Sequence, residues 1–274
     1  MTSETGGARR VGRLPAPVVG VLGVVAIVAL WWVLALTVFS DVGGRGVQAV
    51  PTPPQVIAAM VESGGEFYVR NFSVTLAEAG IGYLWGNSLA LAASALVLLV
   101  PRLEPVIMQL AILTYCVPIV AIGILLVVII PLPRAGEPAG NAVFLAALSV
   151  FFTTVVGALL GLKAADRSAL DVVAVYGGSR LTQLRKVRVI AALPAILNAL
   201  QIAVPAAFLG AVLGEFFGKV QLGVGPAMIA AQQGLDAPRL WGIALVSGLV
   251  ALAGYGAIGL ASRAIAPWSR GGTR

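Results

Sequence analysis

The chain has 274 residues, of which 59% are hydrophobic and only 11% charged, and its mean hydropathy is +0.99. A soluble domain of this length cannot hide so much apolar surface, so a bilayer must act as its solvent. There is no histidine and one cysteine, Cys116, which excludes a Ser-His-Asp triad, a His- or Cys-based zinc site and an internal disulfide.

Six apolar runs are long enough to cross about 30 Å of hydrocarbon. They are predicted at 16–39, 72–100, 105–130, 142–162, 190–214 and 240–262, a polytopic all-α bundle. The first follows an arginine-containing head (1–15) and lacks a small-x-small cleavage site before Asp41, so it is read as a retained helix rather than a signal peptide. Between the first two spans lies Pro51-Thr-Pro-Pro54 and a short helix-like stretch, 55–62. Residues 101–105 (PRLEP) form a tight turn, and 131–140 a short loop on the opposite side.

Six crossings put both termini on one face. With that face cytoplasmic, the inner basic residues are Arg9, Arg10, Arg13, Arg102, Lys163, Arg167, Arg180, Arg185, Lys186, Arg188, Arg263, Arg270 and Arg274. The outer ones are Arg45, Arg70, Arg134, Lys219 and Arg239. This asymmetry predicts cytoplasmic termini, and it explains the formal charge of +7 better than a nucleic-acid surface does.

The one sizeable inner segment between spans is 163–189. It reads as two short helices broken at Gly177 and Gly178. Ser168 with Asp171 three residues later fits an N-terminal capping box, Gly177 fits a helix stop, and Ser179 can cap the second helix. Such a segment is either an ordinary charged loop or a docking surface. Within the spans, glycines recur at four-residue spacing: Gly82/Gly86, Gly157/Gly161 and Gly210/Gly214/Gly218. These ladders let helices approach closely in lipid.

Two apparent nucleotide motifs fail on context. From Gly214 to Val220 the sequence resembles a phosphate loop but is one residue short and lacks the hydroxyl for magnesium. Gly254 to Gly259 spells a dinucleotide fingerprint inside a membrane helix, with no βαβ unit around it. If ATP drives this protein, another chain must hydrolyse it. Polar groups inside spans are costly and often functional, which makes Thr114, Tyr115, Asn198, Gln201 and above all Glu215 candidates for a translocation pathway. Interhelical hydrogen bonds, or interfacial water in the case of Glu215, are the alternative account.

The inner loop also carries a resemblance. Residues 171–187 (DVVAVYGGSRLTQLRKV), leading into Ala191-Ala-Leu-Pro194, resemble the EAA loop of binding-protein-dependent ABC importer permeases. They look most like the nitrate/sulfonate/taurine branch, which includes permeases for thiamine-pyrimidine precursors. Val50 to Pro54, Ser73-Val-Thr-Leu76 with Gly82, and the stretch from Glu215 through Gly225 to Gln233 are similar to further segments of that branch, so the likeness covers about 50–262. Three family positions differ within the loop region: the glutamate is Asp171, the second alanine Val173 and the closing proline Ile190. The branch also has an arginine near the position of Glu78.

The resemblance implies a type I, MetI-like permease fold, a domain at 16–265 with a coupling loop at 163–189, and cytoplasmic tails at 1–15 and 266–274. It implies Asp171, Gly177, Gly178, Ser179 and Arg180 as ATPase-coupling residues, and alternating access as the mechanism. The implied partners are two ABC ATPase subunits holding ATP and magnesium, a second permease chain (a copy or a homologue), an extracytoplasmic substrate-binding protein and the lipid of a bacterial cell membrane. A secondary transporter would instead show charged pairs deep in spans or broken helices in two related halves. A membrane enzyme would show a catalytic constellation. Neither pattern is legible in the sequence.

Overall fold

The computed structural model describes residues 15–40, 48–131, 133 and 137–270. Most of the amino-terminal tail with Arg9, Arg10 and Arg13, together with Arg45, Arg134 and Arg274, lies outside the described residues. Helices α1 (Ala16–Leu36) and α2 (Pro53–Leu99) come first. Pro53 suits the first helical position because its missing N–H needs no partner there. The Thr52 N–H is taken up by Gln55 Oε1 at 2.7 Å. The short helical stretch expected at 55–62 is present, within a short helical segment of residues 53–63 that the kink at Gly64, at φ +74°, sets off from the second span.

The third predicted span is broken. Helix α3 (Glu104–Cys116) and helix α4 (Ile119–Ile129) meet at 91° across Val117 and Pro118. Pro118 offers no N–H to the helix, and the residue before a proline is driven to extended backbone; Val117 sits at φ −70°, ψ 127°. At 1.5 Å per residue, neither half alone crosses a bilayer.

Helix α5 (Gly140–Lys163) runs through the middle, packed along both α2 and the long helix α8 (Val189–Phe217). The glycine ladders explain how. A methyl placed on Gly82 or Gly86 would run into Ala146, Ala147 or Val150 of α5, and one on Gly157 or Gly161 into Ala195 or Ala199 of α8. From the other side, Gly210 and Gly214 rest on the backbone of Leu145 and Ala142. Backbone approach of this kind maximises dispersion contacts where lipid offers no hydrophobic drive. Polar stitches reinforce the seam: Thr154 Oγ1 donates to Asn87 Oδ1 at 2.6 Å, and Tyr83 donates to the Leu200 carbonyl at 3.1 Å.

Between α5 and α8 lie α6 (Arg167–Val175) and α7 (Arg180–Gln183). After α8 come the short α9 (Val224–Gln233) and then α10 (Ala237–Ile265). Helices α1 and α10 expose most of their side chains, the pattern of lipid-facing helices. The Trp31 and Trp241 rings stack at 5.3 Å and tie the two together. No strand occurs among the described residues. Five helices are long and apolar enough to cross a membrane, and the bent α3–α4 pair makes a sixth crossing if both halves count as one.

Candidate functional site

The 163–189 segment is built by local chemistry. Asp166, not Ser168, caps α6: its carboxylate accepts from the Ser168 N–H at 3.1 Å and the Ser168 hydroxyl at 2.7 Å. Those two donors hold the Asp166 carboxyl below the usual carboxylate range. The expected Ser168–Asp171 box is therefore corrected. Both pairings suit the sequence, but a carboxylate at the cap accepts two hydrogen bonds at once. Asp171 lies exposed, with no hydrogen bond or ion pair among the described residues.

Helix α6 ends as expected at Gly177, at φ +75°. The Gly178 N–H reaches the Val173 carbonyl at 2.8 Å and the Gly177 N–H the Ala174 carbonyl at 2.9 Å, the paired bonds of a Schellman stop. Gly178 is also sterically required, since a Cβ there would press on Val173. Ser179 caps α7, its hydroxyl accepting from the Thr182 N–H at 3.3 Å, and Arg180 opens that helix, exposed.

Here the structure departs from two separate loop helices. α7 passes through a π turn, Leu184–Arg188, straight into α8, so that Arg180–Phe217 forms one 38-residue helical run. Arg188 anchors the turn by donating to the Leu162 carbonyl at 3.1 Å, and Gln183 ties α7 back to Leu170 of α6 at 3.2 Å. α6 carries large apolar groups outward: Val175 is 84% exposed and Tyr176 88%, beside Val172. These three form an exposed apolar strip on a segment otherwise rich in charge.

At the opposite end of α5 and α8 lies a buried polar cluster. Glu215 is fully buried; Oε1 accepts from the Thr75 hydroxyl at 2.5 Å and Oε2 from the Gly225 N–H at 2.7 Å. Thr75 Oγ1 in turn accepts from the Val224 N–H at 2.9 Å. Glu78, 1% exposed, accepts from the Ala139 N–H at 2.7 Å. Gly223, at φ +139°, lies so close over the Glu215 carboxylate that a Cβ would overlap it. The cluster thus sews the start of α9 and the start of α5 to α2 and α8. Sequence reasoning singled out Glu215 but gave Glu78 no role in a site; its one signal was its departure from the arginine of the resembling branch. A cavity of about 450 Å³ adjoins the cluster, lined by Ser63, Glu66, Phe67, Arg70, Asn71 and Leu222.

The other candidate pathway residues are dispersed. Thr114, in the last turn of α3, donates back to the Ala111 carbonyl at 2.7 Å. Tyr115 is exposed and stacks on Phe152 at 4.8 Å. Asn198 is exposed on α8, and Gln201 faces α10 at Gly259. No hydrogen bond among the described residues joins these four to one another or to Glu215. Glu215 itself reaches neither solvent nor an open cavity wall.

Comparison with known proteins agrees with this architecture. Residues 82–270 match the family model for the binding-protein-dependent transport system inner membrane component. An ABC transporter permease protein of Haemophilus influenzae is 28% identical over 202 residues, covering 74% of this chain and 80% of its own. The formylaminopyrimidine transport permease protein of Halalkalibacterium halodurans is 24% identical over 221 residues, covering 81% and 86%. A Bacillus subtilis permease protein named for aliphatic sulfonates transport is 27% identical over 219 residues, covering 78% and 74%.

Proposed function

Since the chain belongs to the family of binding-protein-dependent transport system inner membrane components, we propose that it is the permease subunit of an ATP-driven importer, opening a path for a small solute by alternating access. It is a multi-pass membrane permease component of an ABC transporter, and ATP hydrolysis in such systems lies in a separate subunit. The proposed assembly has two ATPase chains that hold ATP and magnesium, a second permease chain, and an extracytoplasmic binding protein that delivers the solute. It sits in a bacterial cell membrane with both termini inside. The relatives' names range from a formylaminopyrimidine to aliphatic sulfonates, so the solute is left at that breadth.

One observation carries this reading: the exposed apolar face of α6, held by a glycine stop beside a helix that runs unbroken from Arg180 into the membrane. Asp171, Gly177, Gly178, Ser179 and Arg180 are the coupling residues under this reading. An ATPase that grips α6 would pull on α7 through the Gln183–Leu170 bond, and the π turn leaves no loop between α7 and α8 to absorb the displacement. The domain at 16–265 with tails at 1–15 and 266–274 belongs to the same proposal.

The test is copurification of the ATPase with the wild type and with Tyr176→Asp, alongside uptake in cells. Loss of ATPase binding and of uptake, with normal membrane insertion, is the expected result. An aspartate variant that keeps its ATPase would remove α6 as the docking surface. A bent span and a buried acid pair would by themselves suit a secondary transporter as well; the family membership decides against it.

A further inference from the structure

We propose that Glu78 and Glu215 hold a single proton between them, a carboxyl–carboxylate hydrogen bond that locks the Gly223–Gly225 turn onto α2 and α8. Among the described residues these are the only buried acids, and Glu78 stands one turn along α2, on the same face, from Thr75, whose hydroxyl holds Glu215. Three of their four oxygens accept from fixed donors: Thr75 Oγ1, Gly225 N–H and Ala139 N–H. The fourth, Glu78 Oε2, is buried without any N–H or O–H donor. Two ionised carboxylates facing each other out of water repel strongly, whereas one shared proton turns that repulsion into a strong, charge-assisted bond.

No positive charge substitutes for that proton. On α2 the nearby charged and titratable groups are Glu66, Tyr68, the exposed Arg70, and Tyr83, which is bonded to Leu200. Glu137 precedes α5 and exposed Lys219 follows α8. At the start of α10, Arg239 pairs with Asp236 at 3.4 Å. Neither carboxylate forms an ion pair with a lysine or arginine among the described residues. A bound metal cation fits poorly, because a hard cation takes about six oxygen ligands and this pair leaves a single oxygen without a donor. One proton taken from water leaves the pair with a net charge of −1, shared between the two side chains.

The test uses the full chain in lipid nanodiscs at neutral pH. Infrared spectra should show the carbonyl stretch of one protonated carboxylic acid, slow to exchange in heavy water. Glu78→Gln imitates the protonated partner: the band should vanish while the melting temperature stays within a few degrees of wild type. Glu215→Gln replaces an acceptor of two donors by a group with a single acceptor oxygen, so it should lose the band and melt clearly lower. A wild-type spectrum without the band would overturn the proposal, as would a band that survives both substitutions. A wild type without the band whose melting depends on sodium would assign the site to a cation instead.

Discussion

At position 177 the backbone sits at φ +75° with nothing within 4 Å of where a Cβ would stand, so torsion alone resists a side chain there. Gly177→Val should insert normally yet misplace α6, at a strain of about 1 kcal/mol or more. Gly177→Asn, which tolerates left-handed backbone, should keep most of the activity. ATPase copurification and uptake measured on both variants check this, and equal loss in both would contradict the torsional account. Asp171 poses a cleaner question than its spacing suggests. Because Asp166 makes the cap, Asp171→Asn removes a charge and no structural bond. Under the docking proposal it should reduce uptake; full uptake would take Asp171 out of the contact. Residues whose partners are sequence neighbours were largely legible: Gly177 and Ser179 hold their expected places. Only the choice between Asp166 and Ser168 went the other way, between two residues equally fit to cap. Glu78 was opaque for the opposite reason. Its neighbourhood also holds the Thr75–Glu215 bond, whose partners stand 140 positions apart, and no periodicity connects them.

Among the elements, the run from Arg180 to Phe217 carries the sharpest expectation. Val187 lies in the π turn that joins α7 to α8. Val187→Pro should break the run, at about 3 kcal/mol for an interior helical position, while leaving the α6 face intact. The ATPase should therefore still copurify and hydrolyse ATP in proteoliposomes, but without solute uptake. Retained uptake would show that a continuous helix is not needed. Glycine seams give a second test. Gly214→Ala sets a methyl against the Ala142 N–H at 2.7 Å and the Asn141 carbonyl at 2.8 Å, backbone that no rotamer change can clear. Overpacking of this kind costs roughly 1–3 kcal/mol and should lower the melting temperature of the purified chain, whereas Gly20→Ala, with nothing nearby, should not. Hydropathy located these elements well but was blind to direction. Residues 105–130 are apolar throughout, and only Pro118 marked the right-angle bend. The fusion of α7 to α8 was hidden because Gly177 and Gly178 do break the chain, one helix earlier than the fusion.

For the whole molecule, the proposed topology, six crossings with both termini inside, predicts a labelling pattern. In a Cys116→Ser background, Asp171→Cys should react with an impermeant maleimide only from the cytoplasmic side, and Arg70→Cys only from outside. The reverse pattern would invert the topology, and reaction of both from one side would show that α3–α4 does not complete a crossing. Charge asymmetry alone suggested this orientation.

The seams also divide the molecule mechanically. Helix α5 meets both α2 and α8 through glycine and alanine with almost no side chain between them, and contacts that tight have little room to slide. Past Gly64, the three therefore form one closely packed chassis, expected to turn as one piece. Under the proposed alternating access, rearrangement should be absorbed where the packing is loose: at the Val117–Pro118 elbow, at Gly64, and along the sparsely covered α1 and α10. A crosslink within the chassis should leave such movement intact, whereas a crosslink that pins the elbow to it should arrest the machine.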